Sequence, residues 1–323
     1  MDSSDSDEDL PRKRPKFNER KTYEDDPNTF RERYRFTHRL FDLLYEEVGD
    51  LLERVTGRNH ALTGKQILLA ALRFYASGHF YYSLGDTQGV SKNTICNAVK
   101  ESTSAINKRL IQHIGWPLDQ RELDGIGIQF QEKSVPGIPN ICGALDGCHV
   151  NIISPSENEA QYVNRHHDHS INTMAVCGPK MDFYFISARW PGSVNDARVL
   201  RNSDLFRTFQ TGWRPFPNAI LIGDNIYPTL NWLVPMVPGV QGPRRQFYKN
   251  HTKTRSIIER SFGLWKNRFR CLQRIRVQEP VYACEIIKCT ALLHNFMIRL
   301  RNDDENDDDD YLDEEDLEGE DSD

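Results

Sequence analysis

NICGALDGCHVNII, residues 140–153, is an apolar run of β type with an aspartate in its middle. A carboxylate inside a strand is expensive unless an opposite charge or a metal ion meets it. Asp146 therefore marks a point where fold and chemistry coincide. The segments that follow keep the same character. INTMAVCG (171–178) and FYFISARW (183–190) read as strands joined through GPKMD, a hairpin turn. AILIGDNIY (219–227) is a short apolar strand that runs into Asp224. Helical segments are expected near 194–210, about 252–272 and about 281–300. Strands first and helices after predict an α/β domain over 121–301, a mixed sheet with flanking helices.

Upstream, residues 23–120 read as helical. Phe36, Leu40, Leu43, Leu44, Val48, Leu51 and Leu52 recur at a spacing of three to four. Thr63 is a predicted N-cap and Gly78 a predicted stop. SLGDTQGVSKNTICNAVKESTSAINKRL (83–110) reads as a short helix, a turn at Gly89 and a second helix capped by Ser91. Ile95, Val99 and Ile106 point inward, giving the outline of a small all-α helix-turn-helix-like region. Its outer face carries Lys92, Asn93, Asn97 and Lys100, types that reach phosphates and base edges. A purely structural helical bundle contains such pairs too.

Net charge is −6, but the ends dominate it. Residues 302–323 hold 15 acids and no base, and residues 1–9 hold five more. What remains, 10–301, has 41 bases against 27 acids, a balance of +14. Both ends are expected to be disordered, because such composition cannot bury apolar surface. The arm 1–22 contains PRKRPK, whose Arg12, Lys13, Arg14 and Lys16 read as a nuclear import signal or as a solvated charge run. The acidic N-terminus does not read as a secretory signal. No run approaches the ~18 apolar residues of a membrane span. Seven scattered cysteines without a C-x-x-C pair disfavour a disulfide framework and a zinc knuckle, and fit a reducing compartment.

The basic body has a focus. KNHTKTRSIIERSFGLWKNRFRCLQRIR (249–276) holds nine Lys and Arg and one acid, Glu259. Ile258, Phe262, Trp265 and Phe269 make its apolar stripe, and Glu259 lies one step off it. Asp224 sits where open α/β sheets place ligands. Singly, an Asp at a strand end often caps a loop, and a Glu in a basic helix often pairs along it. Together, Asp146, Asp224 and Glu259 make a hard oxygen set suited to Mg²⁺ or Mn²⁺. Two such ions about 3.5–4 Å apart drive in-line displacement at a phosphodiester. Arg255, Arg260, Lys266, Arg268 and Arg270 are assigned to the nucleic acid backbone, whose neutralisation makes binding salt-dependent.

GALDGCHV, WPGSVNDARVLRNS, LIGDNIYP and RSIIERSFGLWKNRFRCL, in that order, resemble the catalytic core of the PIF/Harbinger superfamily of transposases and the nucleases derived from them in animals. The resemblance runs from about 141 to 300 and is weaker over 35–115. It implies an RNase H-like fold with a DDE metal triad: Asp146 in ALDG, Asp224 in IGDNIYP and Glu259 in IIERSFG. Asp196, in PGSVNDAR, falls in a family motif and is assigned to ordering the site rather than to the metal. His294 and Asn295, in LLHNF, are assigned to structure. The resemblance also implies DNA as substrate, a nuclear location and a Myb-like partner protein. Two positions depart from the family pattern. Ile226 stands where Gly is usual, and a β-branched residue there disfavours φ > 0; Cys148 replaces Thr. Three readings compete: a metal-dependent DNA nuclease, a DNA-binding protein with a catalytically silent nuclease fold, and a protein-interaction module.

Overall fold

The computed structural model describes residues 26–54 and 60–301. The basic arm 1–22, with the import cluster, and the tail 302–323 lie outside the described residues. Six helices come first: α1 (Pro27–Tyr34), α2 (His38–Val48), α3 (Gly64–Ser77), α4 (Tyr81–Gln88), α5 (Lys92–Arg109) and α6 (Gln120–Gln131). Their ends follow local chemistry. Thr63 and Gln66 form a capping box at the start of α3, and Gly78 ends it at φ 64°. Gly89 ends α4 in the left-handed region, and the Ser91 hydroxyl accepts the Thr94 N–H to open α5. Ile95, Val99 and Ile106 are fully buried. Leu51, expected inside, is exposed because α2 tightens into a 3₁₀ turn at Gly49–Leu51.

The sheet follows: β1 (Ile141–Asn151), β2 (Ser170–Cys177), β3 (Phe183–Pro191), β4 (Ile220–Gly223) and β5 (Leu233–Pro235). The short helix α7 (Glu159–Tyr162) lies between β1 and β2. The order is β3-β2-β1-β4-β5. The three long strands are antiparallel, and β4 and β5 run parallel to β1. β1 is central, which explains its apolar character. The crossover from β3 to β4 carries α8 (Asp196–Arg201) and α9 (Asp204–Gln210). The sequence suggested one helix there; Ser203 breaks it by capping α9 through the Phe206 N–H.

Two long helices close the chain, α10 (Arg245–Arg268) and α11 (Pro280–Arg299). α10 packs on β1, β2 and β4, and α11 packs on β3 and α5. α10 starts about two turns earlier than expected, because the positions it buries there are polar: Asn250, His251 and Thr254. α11 is apolar enough by length and composition to cross a membrane, yet it is largely buried in the fold. One buried apolar cluster runs through the first six helices and the sheet.

α11 carries two buried polar residues whose bonds explain their place. The Asn295 amide accepts the Phe183 N–H at 2.7 Å and donates to the Phe183 and His113 carbonyls, each at 2.6 Å. His294 Nε2–H donates to the Met181 carbonyl at 3.0 Å, and Nδ1 accepts from Arg268 at 3.1 Å. Burial, then the Arg268 charge, pushes the His294 pKa from 6.5 down to about 3. The unfolded chain takes up this proton below pH 6.5 and the folded chain does not. Stability from this site is complete above pH 6.5 and falls as pH drops toward 3, by about 1.4 kcal/mol per unit. His294→Gln should flatten the acid limb of stability measured by urea unfolding; an unchanged slope would refute the assignment.

Candidate active site

The register of the parallel pair decides the geometry. Leu145 on β1 lies against Gly223 on β4, so Asp146 and Asp224 follow side by side. Asp224 Oδ1 accepts the Asn225 N–H at 2.7 Å, which ties the carboxylate to the turn after β4. Asp146 Oδ1 accepts the Gly147 N–H at 2.8 Å. α10 lies across these strands. His251, Arg255 and Glu259 are spaced by four on it, so they share one face.

Arg255 organises this face. Its Nη1 donates to Asp146 Oδ2 at 2.9 Å, and its Nη2 meets Glu259 Oε1 at 2.6 Å. The Arg255 side chain is 11% exposed, Asp146 17% and Glu259 53%. Burial pushes the Asp146 pKa up to about 7, against the pull of Arg255, and the nearby charges of Asp224 and Asp196 raise it further. Burial disfavours the Arg255 charge, but Glu259, Asp146 and Asp224 outweigh it and raise its pKa. This region seeks a cation, and a guanidinium answers.

Asp196 reaches the site from elsewhere. It opens α8, behind the Asn195 cap, and its Oδ1 accepts from Asn172 on β2 at 2.7 Å. A Cβ on Gly147 would stand 2.5 Å from that oxygen, so only glycine admits Asp196 here. Gly147 and Asp146 point to opposite faces of β1. Asp196 thus leans on the strand from the side away from Arg255.

Two further residues belong to the site. Tyr227 is buried beside Gly223, and its hydroxyl has no hydrogen-bond partner. Burial and then Asp196, Asp146 and Asp224 hold its pKa well above the usual phenol value. His251 is fully buried, donates Nε2–H to the Val234 carbonyl at 2.8 Å, and leaves Nδ1 without a partner. Burial, aided by Arg255, holds this imidazole neutral by lowering its pKa, so Nδ1 presents a lone pair near Asp224. The spacing of eight from Glu259 back to His251, two steps of four through Arg255, was the available sequence signal. Nothing local marked Tyr227.

Several cations stand elsewhere than their place in the sequence suggested. Arg255 is not a surface clamp; its guanidinium is committed to two carboxylates. Arg268 is 1% exposed and bonded to His294, so it is too deep to meet a phosphate. Lys266 is half-buried, and its ammonium donates to the His149 carbonyl of β1 at 3.1 Å. Arg260, Arg270 and Asn93 are exposed. Lys92 and Lys100 are exposed but lie over aromatic rings, those of Tyr82 and Tyr282. Ile226 is not among the positive-φ residues, so its β-branched side chain carries no backbone strain.

A divalent ion fits this place by donor chemistry. One guanidinium touches Asp146 and Glu259 together, so a cation there meets oxygens of both, with Asp224 alongside. Among the described residues, no three His, Cys, Asp or Glu side chains yet stand close enough to share an ion.

This mixed five-stranded sheet, with neighbouring strand acids under a helix, is the arrangement expected of a DDE nuclease. Residues 145–295 match the family described as DDE superfamily endonuclease. Over 269 residues the chain is 31% identical to the Homo sapiens protein named Putative nuclease HARBI1, covering 82% of this chain and 76% of that one. The Xenopus laevis protein of the same name is 31% identical over 275 residues, covering 82% and 77%. Protein ALP1-like of Arabidopsis thaliana is 26% identical over 304 residues, covering 86% and 72%. No solved structure matches the chain. The chain belongs to the family of Harbinger transposase-derived nucleases.

Proposed function

We propose that the chain is a divalent-metal-dependent DNA endonuclease of Harbinger transposase type, acting by in-line displacement at a phosphodiester. The observation that carries this is the single cation bridging Asp146 and Glu259, with Asp224 in register beside them. The strand order supports reading the domain as RNase H-like. Asp146, Asp224 and Glu259 would hold Mg²⁺ or Mn²⁺ in place of the guanidinium. The ion supplies activation of the attacking oxygen and stabilisation of the leaving one. Asp196 and Gly147 brace the β1 end of the site. The His251 and Tyr227 side chains are buried and polar, and confine its β4 side. Arg260 and Arg270 meet the backbone of the duplex. We extend the reading to a nuclear protein with a Myb-like partner, on family resemblance.

A second reading has its own observation. Arg255 already occupies the cation position beside Asp146 and Glu259. A DNA-binding protein with a silent centre would look the same. Nicking of supercoiled plasmid separates the two. Nicking that requires Mn²⁺ and stops with chelator supports the enzyme. DNA affinity with no nicking in Mn²⁺ or Mg²⁺ supports the silent form.

A further inference from the structure

Between α5 and the segment that leads into α11 lies a cavity of about 540 Å³. That is within the ~300–1,000 Å³ usual for ligand sites. α5 offers Lys92, Cys96 and Lys100 to it, one stripe at spacing four. Phe80 and Tyr82, from the start of α4, are 59% and 64% exposed. Large aromatics left this open need a reason. Each of three rings carries a cation: Arg276 lies 4.4 Å from the Phe80 centroid, Lys92 4.8 Å from Tyr82 and Lys100 5.6 Å from Tyr282. Tyr81 and Tyr282 also line the cavity. Glu279, at the rim, is the sole carboxylate in the lining.

The chemistry selects the occupant. Aromatic walls alone would suit any flat or quaternary group. Three cations on those walls repel a cationic guest, so a methylated lysine is excluded. An anion with a flat ring attached suits both features: the ring stacks on the aromatic faces, and the phosphate takes the displaced ammonium and guanidinium groups. The cavity also touches Ile153, seven residues beyond Asp146 along β1 and its extension. At ~3.3 Å per residue that is roughly 20 Å, too far for the base to belong to the nucleotide under attack.

We infer that this cavity binds a nucleotide of single-stranded DNA, its base stacked on Phe80 or Tyr82 and its phosphate on Lys92, Lys100 and Arg276. The inference rests on the DNA-directed reading above and adds a second, non-catalytic contact to it. It also changes the role of the α4–α5 pair: Lys92 and Lys100 serve an unstacked base rather than the major groove of a duplex.

The test uses the full chain, a labelled thymidylate single strand of roughly ten nucleotides, within the site sizes of such surfaces, and a blunt duplex. Phe80→Ala combined with Tyr82→Ala should lower single-strand affinity by about tenfold or more, since each stacked base contributes ~1–3 kcal/mol. Duplex affinity should stay within about twofold. Lys92→Gln should shallow the salt dependence on the single strand by about 0.7 in log–log slope. Both side chains of the double variant are exposed, and an unchanged thermal midpoint verifies its fold. Single-strand affinity that is unchanged, or lost equally with duplex affinity, overturns the inference. Failure of the nuclease reading shows separately, as absent metal-dependent nicking, and leaves the single-strand result standing.

Discussion

Glu259→Gln should lower Mn²⁺-supported nicking by ~100-fold or more while duplex affinity stays within about twofold of the parent chain. The magnitude follows from position. Loss of a partner that only orients a metal ligand commonly costs about 10–100-fold, and Glu259 is proposed as a ligand itself. The fold should not notice. The Glu259 side chain is 53% exposed, and the glutamine oxygen can still accept from Arg255 along α10. Arg260→Gln makes the opposite case: weaker duplex binding, a shallower salt slope, and cleavage restored at saturating DNA. Full-rate cleavage by the Glu259 variant would sink the metal assignment. Loss of affinity together with cleavage would make Glu259 part of the DNA surface instead.

Asp146→Asn should make the metal-free chain more stable at pH 8 and blind to Mn²⁺. The sign follows from Asp146, whose pKa rises from 3.8 unfolded to about 7 folded. Between these values the folded state keeps a proton that the unfolded state has released. Stability therefore declines as pH rises from about 4 to about 7, and above 7 the full penalty applies. Three units correspond to roughly 4 kcal/mol, an upper figure because Arg255 also loses a charged partner in the variant. An amide in its place never ionises and still accepts from Arg255. The midpoint in chelator at pH 8 should rise by several degrees, and the difference should vanish near pH 4. Mn²⁺ at about 100 times its Kd should stabilise the parent by ~2.7 kcal/mol and the variant hardly at all. A variant that melts lower at pH 8 and still responds to Mn²⁺ would refute both halves.

Much of this was legible in the sequence, for a local reason. Strand β1 announced itself by an apolar run around one carboxylate, and α10 by the stripe Ile258, Phe262, Trp265 and Phe269, all buried. Caps at Thr63, Ser91 and Gly89 act within four residues, so the chain states them directly. The same locality misled the reading of the cations. Arg255 looked like one more phosphate contact, but its partner Asp146 is 109 residues away. Arg268 and Lys266 likewise find His294 and the His149 carbonyl through the fold, 26 and 117 residues off. Charge in sequence gives the type of partner a residue can take, and packing decides which one it meets. His251 and Tyr227 were missed because burial, not residue type, makes them distinctive.

The Asn295 amide has a meaning beyond packing. β3 is an outer strand, and outer strands invite other chains to pair with them. At Phe183, its first residue, both backbone groups that face outward are taken by Asn295: the N–H at 2.7 Å and the carbonyl at 2.6 Å. One side chain thus imitates a rung of a sixth strand. An incoming segment would have to displace that rung, and with it the bond to the His113 carbonyl, before it could extend the sheet. Asn295→Ala would leave the buried Phe183 N–H and carbonyl without partners and lower stability in urea unfolding by roughly 1–3 kcal/mol.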